Sequence, residues 1–166
     1  MTIPAGTKAP ASGKGTTVWI LKSTSTRAAA IATLTDDTLF DQLGHLMAFT
    51  GPSMTKEVTT DSYLDSSAGY AEKSGGDIDP GQVKLTVAYK PGDATQRHLY
   101  DKFNATGEDE YVLMRTKHVS GAINLYYGVL SGMSAPTSAE NGKLKRDYTL
   151  DLSGKQDLAE DLQTGA

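Results

Sequence analysis

Histidines are the first side chains to consider for chemistry, because imidazole is a common metal ligand and acid–base group. His45, His98 and His118 lie far apart, and none has the HxxxH or HExxH spacing that places two ligands on one helical face. The chain contains no cysteine, so disulfides and thiolate metal sites are excluded and a nucleophile would have to be Ser or Thr. No GxSxG motif is present to expose such a serine. We therefore expect ordinary surface or half-buried histidines.

Two short motifs resemble cofactor loops but depart from them. In "GTKAPASGKGTT", six residues rather than four separate the first glycines, and Gly15 follows the lysine where a phosphate loop needs Ser or Thr. "DIDPG" begins like a calcium loop, but its fifth position is Gly81 and its twelfth is Ala88. Asp-Pro-Gly is typical of a turn. We expect no cofactor, no metal and no catalytic residue.

Composition limits the class of protein. The chain has 166 residues, 38% of them hydrophobic, with 17 glycines and a net charge of −4. These values favour one turn-rich, β-dominated soluble domain. No apolar run is long enough for a transmembrane helix, and the N-terminus lacks the apolar region of a signal peptide. The longest cationic run is "KLKR", which argues against tight nucleic-acid binding.

The elements follow from periodicity and turn residues. A helix is predicted at about 93–105, with Asp93 and Gln96 in capping-box positions and Leu99 and Phe103 on its packing face. Residues 23–42 are ambiguous between helix and irregular connection. Strands are predicted at 16–22, 43–50, 83–90, 110–117, 122–130 and 143–152, with a β-like pattern at 53–60.

A long polar segment stands between two apolar runs. Residues 63–81, "YLDSSAGYAEKSGGDIDPG", are far more than the two to five that a hairpin loop needs. We predict a loop over about 52–81, within a domain that spans 16–153. Residues 1–15 are expected to form a flexible arm, and 154–166 an exposed C-terminal extension.

The ordered set of motifs resembles a known family. It comprises "GKGTTVWILK", "DSYLD", "SGGD", "VKLTVAYKPGD", "ATQRHLYDKF" and "EYVLMRT". Over about residues 13–155 it resembles the major tail tube proteins of long-tailed, non-contractile, lambda-like bacteriophages (siphoviruses). Because the last predicted strand lies close to the end of the given sequence, we expect no extra immunoglobulin-like domain of the kind that some members carry. A surface-display role for that domain is therefore not expected here.

The resemblance implies a fold and an assembly. The fold would be mostly β, two packed antiparallel sheets in a β-sandwich with one flanking α-helix, which forms a hexameric β-barrel ring. Stacked rings would form the tail tube, a virion structure assembled in the bacterial host cytoplasm. The implied partners are other copies of the chain, a tape-measure protein in the lumen, and tail terminator and tail-tip proteins. Double-stranded DNA would pass through without specific binding, and no membrane is involved.

The resemblance also assigns roles to residues. The luminal sheet would contain 43–60 and 83–90, with Lys84, Thr86 and Lys90 facing the lumen or lying at a subunit boundary, offset by acids such as Glu57 and Asp61 on the partner strand. The arm and the C-terminal extension would clasp neighbouring subunits. The long loop would stack one ring on the next through Glu57, Asp61, Tyr63, Leu64, Asp65, Tyr70, Asp77, Ile78 and Asp79.

Three alternatives remain at this level. A monomeric β-sandwich module could bind a glycan or a protein, and its size in solution would distinguish it from a tube subunit. A tail terminator or a secretion-tube subunit would share the architecture, so fold alone would not separate them. A hydrolase would need a pocket of convergent polar groups, which no motif indicates.

Overall fold

The computed structural model describes residues 14–63, 69–119, 121–138 and 142–156, together with the backbone of 158–159. The helices are α1 (Arg27–Ala32) and α2 (Ala94–Asn104), with 3-10 turns at Asp37–Leu39 and Gly107–Glu110. The strands are β1 (Thr17–Leu21), β2 (Phe40–Leu43), β3 (Leu46–Thr50), β4 (Thr55–Asp61), β5 (Glu72–Asp79), β6 (Gln82–Ala88), β7 (Tyr111–Lys117), β8 (Ile123–Met133), β9 (Thr137–Ser138), β10 (Leu144–Leu152) and β11 (Leu158–Ala159).

The strands pair antiparallel throughout, in one large sheet and one small one. The large sheet runs in the order β2-β1-β7-β8-β10-β6-β3, with β9 beside β10 and β11 beside β8. Its two halves share one apolar core, because buried residues of β1, β2 and β7 pack with those of β6 and β10. The predicted mostly β, antiparallel fold with a flanking helix is confirmed. The two halves of the large sheet are joined by a continuous hydrogen-bonded path of strands. The small sheet is the pair β4-β5.

Strand β8 joins the two halves of the large sheet, because its first part pairs with β7 and its last part pairs with β10. Gly128 pairs with Val112 of β7 on one side and with Leu152 of β10 on the other. A β-bulge between Thr149 and Leu150 accompanies this change of partner strand, as expected where a strand bends. The absence of a side chain at Gly128 lets the backbone of Asp151 approach closely. The contact joins the two halves of the sheet.

Helix α2 packs on the core through Leu99, which is fully buried. Asp93 is the N-cap residue, as predicted, but its side chain makes no capping bond. The amide of Gln96 instead donates to the carbonyl of Ala88 (3.0 Å), which ties the helix to the end of β6. The predicted packing role of Phe103 is wrong: it lies in the last turn, 38% exposed and outside both core clusters.

The ambiguous segment 23–42 is fastened by a buried cation. Arg115 is fully buried, and it donates to the carbonyl of Leu34 (2.7 Å) and to the carboxylate of Asp37 (2.5 Å). Its guanidinium lies over the rings of Phe40 (4.3 Å) and Trp19 (4.9 Å). The Arg115 hydrogen bond holds the pKa of Asp37 below its usual value. This contact satisfies most of the buried charge and anchors the connection to the sheet.

Part of the predicted C-terminal extension contacts strand β8. The amide of Gln156 bonds both the N–H of Tyr127 (2.7 Å) and its carbonyl (3.2 Å), and β11 continues along β8. Gln156 and the backbone of residues 158–159 therefore contact their own chain. The expected arm, apart from residues 14 and 15, and residues 160–166 lie outside the described part of the chain.

Candidate assembly surface

The long segment between β3 and β6 is a two-stranded hairpin. β4 and β5 pair with each other and with no other described strand. The β-like pattern predicted at 53–60 corresponds to β4, but the prediction of a loop is wrong for Glu72–Asp79, which is a strand. Both faces of the hairpin are solvated, so it lacks the apolar alternation that identifies a half-buried strand. Leu64 and Asp65 lie outside the described residues.

The pairing register separates the hairpin side chains into two chemically different faces, because directly opposed residues share a face. An extra residue in β5, opposite Glu57, preserves this separation along the whole length. One side, the acidic face, carries Glu57, Asp61, Glu72 and Asp79. The other, the basic–apolar face, carries Lys56, Val58, Lys73 and Ile78. Asp77 lies within the bulge.

The hairpin exposes apolar side chains that a monomer would be expected to cover. Val58 is 56% exposed and Ile78 61%, and the tip residues Tyr63 and Tyr70 are 55% and 78% exposed. An isolated two-stranded hairpin is marginally stable in water. Clustered exposed apolar groups mark interaction sites. Both features indicate a surface that is covered by another molecule.

The base of the hairpin is fixed by a turn. The carboxylate of Asp79 accepts a hydrogen bond from the N–H of Gly81 (2.9 Å), and Gly81 has a φ of +84°. A Cβ at Gly81 would lie 2.5 Å from the carbonyl oxygen of Ser53. The expected Asp-Pro-Gly turn is confirmed, and Asp79 has a structural role at the base. This close contact sets where the hairpin leaves the body.

The predicted luminal residues lie on the solvent side of β6. Val83, Leu85 and Val87 are buried, as predicted, while Lys84 is exposed and Thr86 partly so. The Thr86 hydroxyl donates to the carboxylate of Asp147 on β10 (2.5 Å).

The acids near Lys84 are not the predicted ones. β6 pairs with β3 and β10, so the acids on this face are Asp147 and Asp151 rather than Glu57 and Asp61. The predicted strand span 43–60 is divided among β2, β3 and β4, with His45 at a φ of +57° between the first two. Lys90 lies beyond the end of β6, beside α2.

Within the described residues the large sheet has unpaired edges at both of its end strands, β2 and β3, and along the last part of β8. β3 pairs with β6 on one side only. The last residues of β8, 130–133, extend past the end of β7 and pair only with β10. Open edges of this kind can pair with another chain.

Metal clusters and membrane-spanning helices are both absent from the described part of the chain. No group of three or more His, Asp or Glu side chains in it could hold a metal ion. Within the same ranges, no helix is long and apolar enough to cross a membrane.

A β-rich chain with open sheet edges and a projecting, exposed hairpin belongs to the class of self-assembling structural subunits. The model of the lambda phage tail tube protein family matches residues 19–159. The chain belongs to this family: it is a tail tube structural protein and a component of the virion tail. No curated protein matches the sequence directly.

Solved structures share the fold at low sequence identity. The tail of an empty gene transfer agent particle, refined with C6 symmetry, has a TM-score of 0.63 at 15% identity, covering 90% of this chain and 99% of that one. The SPP1 tail tube has a TM-score of 0.60 at 12% identity, with coverage of 94% and 85%. The baseplate of the anti-feeding prophage gives 0.61 at 10% identity, with coverage of 89% and 94%.

Proposed function

We propose that this chain polymerises as hexameric rings that stack into the phage tail tube, the conduit for genome DNA during ejection. The C6 symmetry of the similar gene transfer agent tail supports a six-fold ring. A tape-measure protein would occupy the lumen before ejection, and terminator and tip proteins would bind the two ends. The family match favours this role over that of a terminator or an injection-system subunit, which share the fold.

The exposed hairpin is the observation that carries the proposal. Its basic–apolar face and its tip present apolar side chains that no described part of the same chain covers. In a stacked assembly these side chains become buried between rings. The residues assigned to stacking are Glu57, Asp61, Tyr63, Leu64, Asp65, Tyr70, Asp77 and Ile78, with Asp79 holding the base.

The solvent face of β6 and β10 suits a luminal wall. It carries Lys84 and Lys145 against Asp147 and Asp151, together with the hydroxyls of Thr86 and Thr149. Equal numbers of opposite charges give DNA phosphates no net attraction, so the DNA can slide. Lys84 and Thr86 are assigned to the lumen, and Lys90 to a boundary between subunits.

Ring closure would use two of the open edges, those of β3 and of the last part of β8. Pairing β3 of one copy with residues 130–133 of its neighbour would continue the sheet around the lumen, satisfying both edges. A monomeric glycan- or protein-binding module would have no use for two complementary edges. We also infer that the chain has no catalytic activity of its own.

The test combines electron microscopy with a pair of hairpin variants. The purified chain is concentrated, incubated for days with and without tail tips from the same phage, and imaged in negative stain. Hollow tubes with a regular axial repeat are expected for the wild type. The double variant Val58→Asp/Ile78→Asp should form no tubes, because it buries two charges in the stacking contact.

The control variant Val58→Ile/Ile78→Val keeps both positions apolar and should form tubes. Both variants should unfold at the wild-type temperature, since neither residue belongs to a core cluster. Wild-type protein that stays monomeric in both conditions would contradict the proposal and favour a binding module.

A further inference from the structure

A cationic pocket lies at the opposite end of β6 from the hairpin. It is a cavity of about 440 Å³ between the end of β6, the start of α2 and β10. Three cations and one acid line it, so its net charge is positive. Its charged and aromatic lining residues are Tyr89, Lys90, Asp93, Arg97, Tyr100 and Arg146.

The pocket cations have few partners within the chain. The guanidinium of Arg146 lies 5.0 Å from the centre of the Tyr89 ring, and its Nε is buried without a hydrogen-bond partner among the described residues. Arg97 forms an ion pair with Asp101 on the surface of α2, with 3.3 Å between its Nε and the carboxylate oxygen. Burial raises the pKa of Tyr148, whose hydroxyl lies near Arg146, so this phenol stays neutral and supplies no counter-charge. The pocket is therefore suited to carboxylates from outside the chain.

The acidic face of the hairpin likewise carries charge of one sign, since no lysine or arginine lies on it. Asp61 is directly opposite Glu72 in the ladder, and Glu57 is on the same face. Like charges in directly opposed positions destabilise a strand pair. No salt bridge within the described residues involves these three acids. A cationic partner would relieve this repulsion.

The positions of the two surfaces favour contact between copies. The turn at Gly81 leads from the hairpin into β6, and Lys90 follows the far end of the strand, so β6 separates hairpin and pocket by about 23 Å. The hairpin projects by a similar length, because β4 also has seven residues. Different surfaces at opposite ends of a subunit make a head-to-tail contact, which generates an open stack.

We propose that the acidic face of the hairpin docks into the cationic pocket of a second copy in the adjacent ring. Glu57, Asp61 and Glu72 would then pair with Lys90, Arg97 and Arg146 of that copy. Guanidinium–carboxylate pairs are among the strongest charge-assisted hydrogen bonds. The inference rests on the proposed stacking function, to which it adds the receptor surface.

Charge reversal on each side tests the contact in the full-length protein. Asp61→Lys/Glu72→Lys reverses the hairpin and Lys90→Glu/Arg97→Glu reverses the pocket, and all four positions are at the surface, so the fold should persist. Each double variant should reduce the polymer mass in sedimentation by about tenfold or more, and the quadruple variant should recover most of it. Lys56→Glu/Lys73→Glu, on the other hairpin face, is the control that the pocket reversal should not rescue.

A carbodiimide, which joins contacting amines and carboxylates, gives a second measurement. Mass spectrometry of cross-linked wild-type tubes should find Lys90 linked to Glu57, Asp61 or Glu72 of another copy. Three results would overturn the inference. The first is a quadruple variant that polymerises no better than either double variant, and the second is Lys90 cross-linked to the acids of residues 157–161 in its own chain. The third is a pocket that binds only free phosphate while the tubes stay unchanged. If the apolar hairpin variants abolish tubes while charge reversals do not, stacking stands and this receptor surface is wrong.

Discussion

Replacing Gly128 with alanine should damage the contact that joins the two halves of the large sheet. A Cβ at this position would lie 2.0 Å from the carbonyl oxygen of Asp151 and 2.7 Å from its carbon. Both are backbone atoms of β10, so no rotamer change relieves the clash. The strands must separate or the ladder must break. The φ of Gly128 is not in the left-handed region, and the effect is therefore steric.

The expected loss follows from overpacking a region that cannot relax. Overpacking costs about 1–3 kcal/mol in well-packed regions. At Gly128 the obstacle is backbone, and β8 is paired with a strand on each side. We therefore expect Gly128→Ala to lower the free energy of unfolding by about 3 kcal/mol, near the upper end of this range. For a chain of this length, this lowers the unfolding temperature by about 6–12 °C.

Gly132 provides a matched control on the same strand. A Cβ there would meet only the Cβ and Oγ1 of Thr149, both at 3.3 Å, an overlap that a movement of a few tenths of an ångström removes. Gly132→Ala should therefore change the free energy of unfolding by less than about 1 kcal/mol, part of it a gain from the stiffer unfolded chain. Urea unfolding followed by circular dichroism measures both variants. Equal stabilities for the two would refute the steric reasoning.

Three further predictions concern the core, the buried cation and the base of the hairpin. Leu99→Ala should cost about 2–5 kcal/mol in urea unfolding because Leu99 is fully buried, while Phe103→Ala should cost less than about 1 kcal/mol; comparable losses would mean that Phe103 is packed. Asp37→Asn should cost about 2 kcal/mol at pH 7. Since Arg115 lowers the folded-state pKa of Asp37, the stabilisation by this ion pair is complete above about pH 4 and is lost as the pH falls through the folded pKa. The stabilities of the variant and the wild type should therefore converge in acid. A difference that does not depend on pH would exclude the ion pair as its cause. Gly81→Ala should destabilise more than Gly107→Ala, because both have positive φ but only Gly81 has a neighbour, the Ser53 carbonyl, in the way; equal thermal shifts would argue against a rigid hairpin base.

The sequence predicts best those helices and strands whose packing partners are other parts of the same chain. The alternation of Val83, Leu85 and Val87 reports a sheet with one buried face, and all three are buried. The helix is predicted to within about one residue at each end because its N-cap and its flanking glycines are local signals. Periodicity and turn chemistry are sufficient where burial is internal.

The errors have a different physical origin. Arg115 reads as an exposed charge in the middle of a strand, and its partners are about 80 residues earlier in the chain, a distance at which no sequence pattern operates. Phe103 satisfies the i, i+4 spacing with Leu99, but spacing does not show where the core ends. The sequence does not indicate the strand β5, because Gly and Asp, and to a lesser degree Glu and Lys, have low β-propensity.

That last error indicates how the chain encodes its assembly. A monomer gains nothing from a two-stranded hairpin with carboxylates along one face and apolar groups along the other, and it must tolerate the repulsion of Asp61 and Glu72. The same arrangement is favourable once a second copy covers it, because apolar burial and ion pairing then offset the entropy of ordering. Under the proposed stacking, the segment that violates the rules for a monomer would be the one that joins the copies. The open edges of β3 and β8 follow the same logic, in that their unpaired backbone groups are a liability in isolation and a means of joining in a ring.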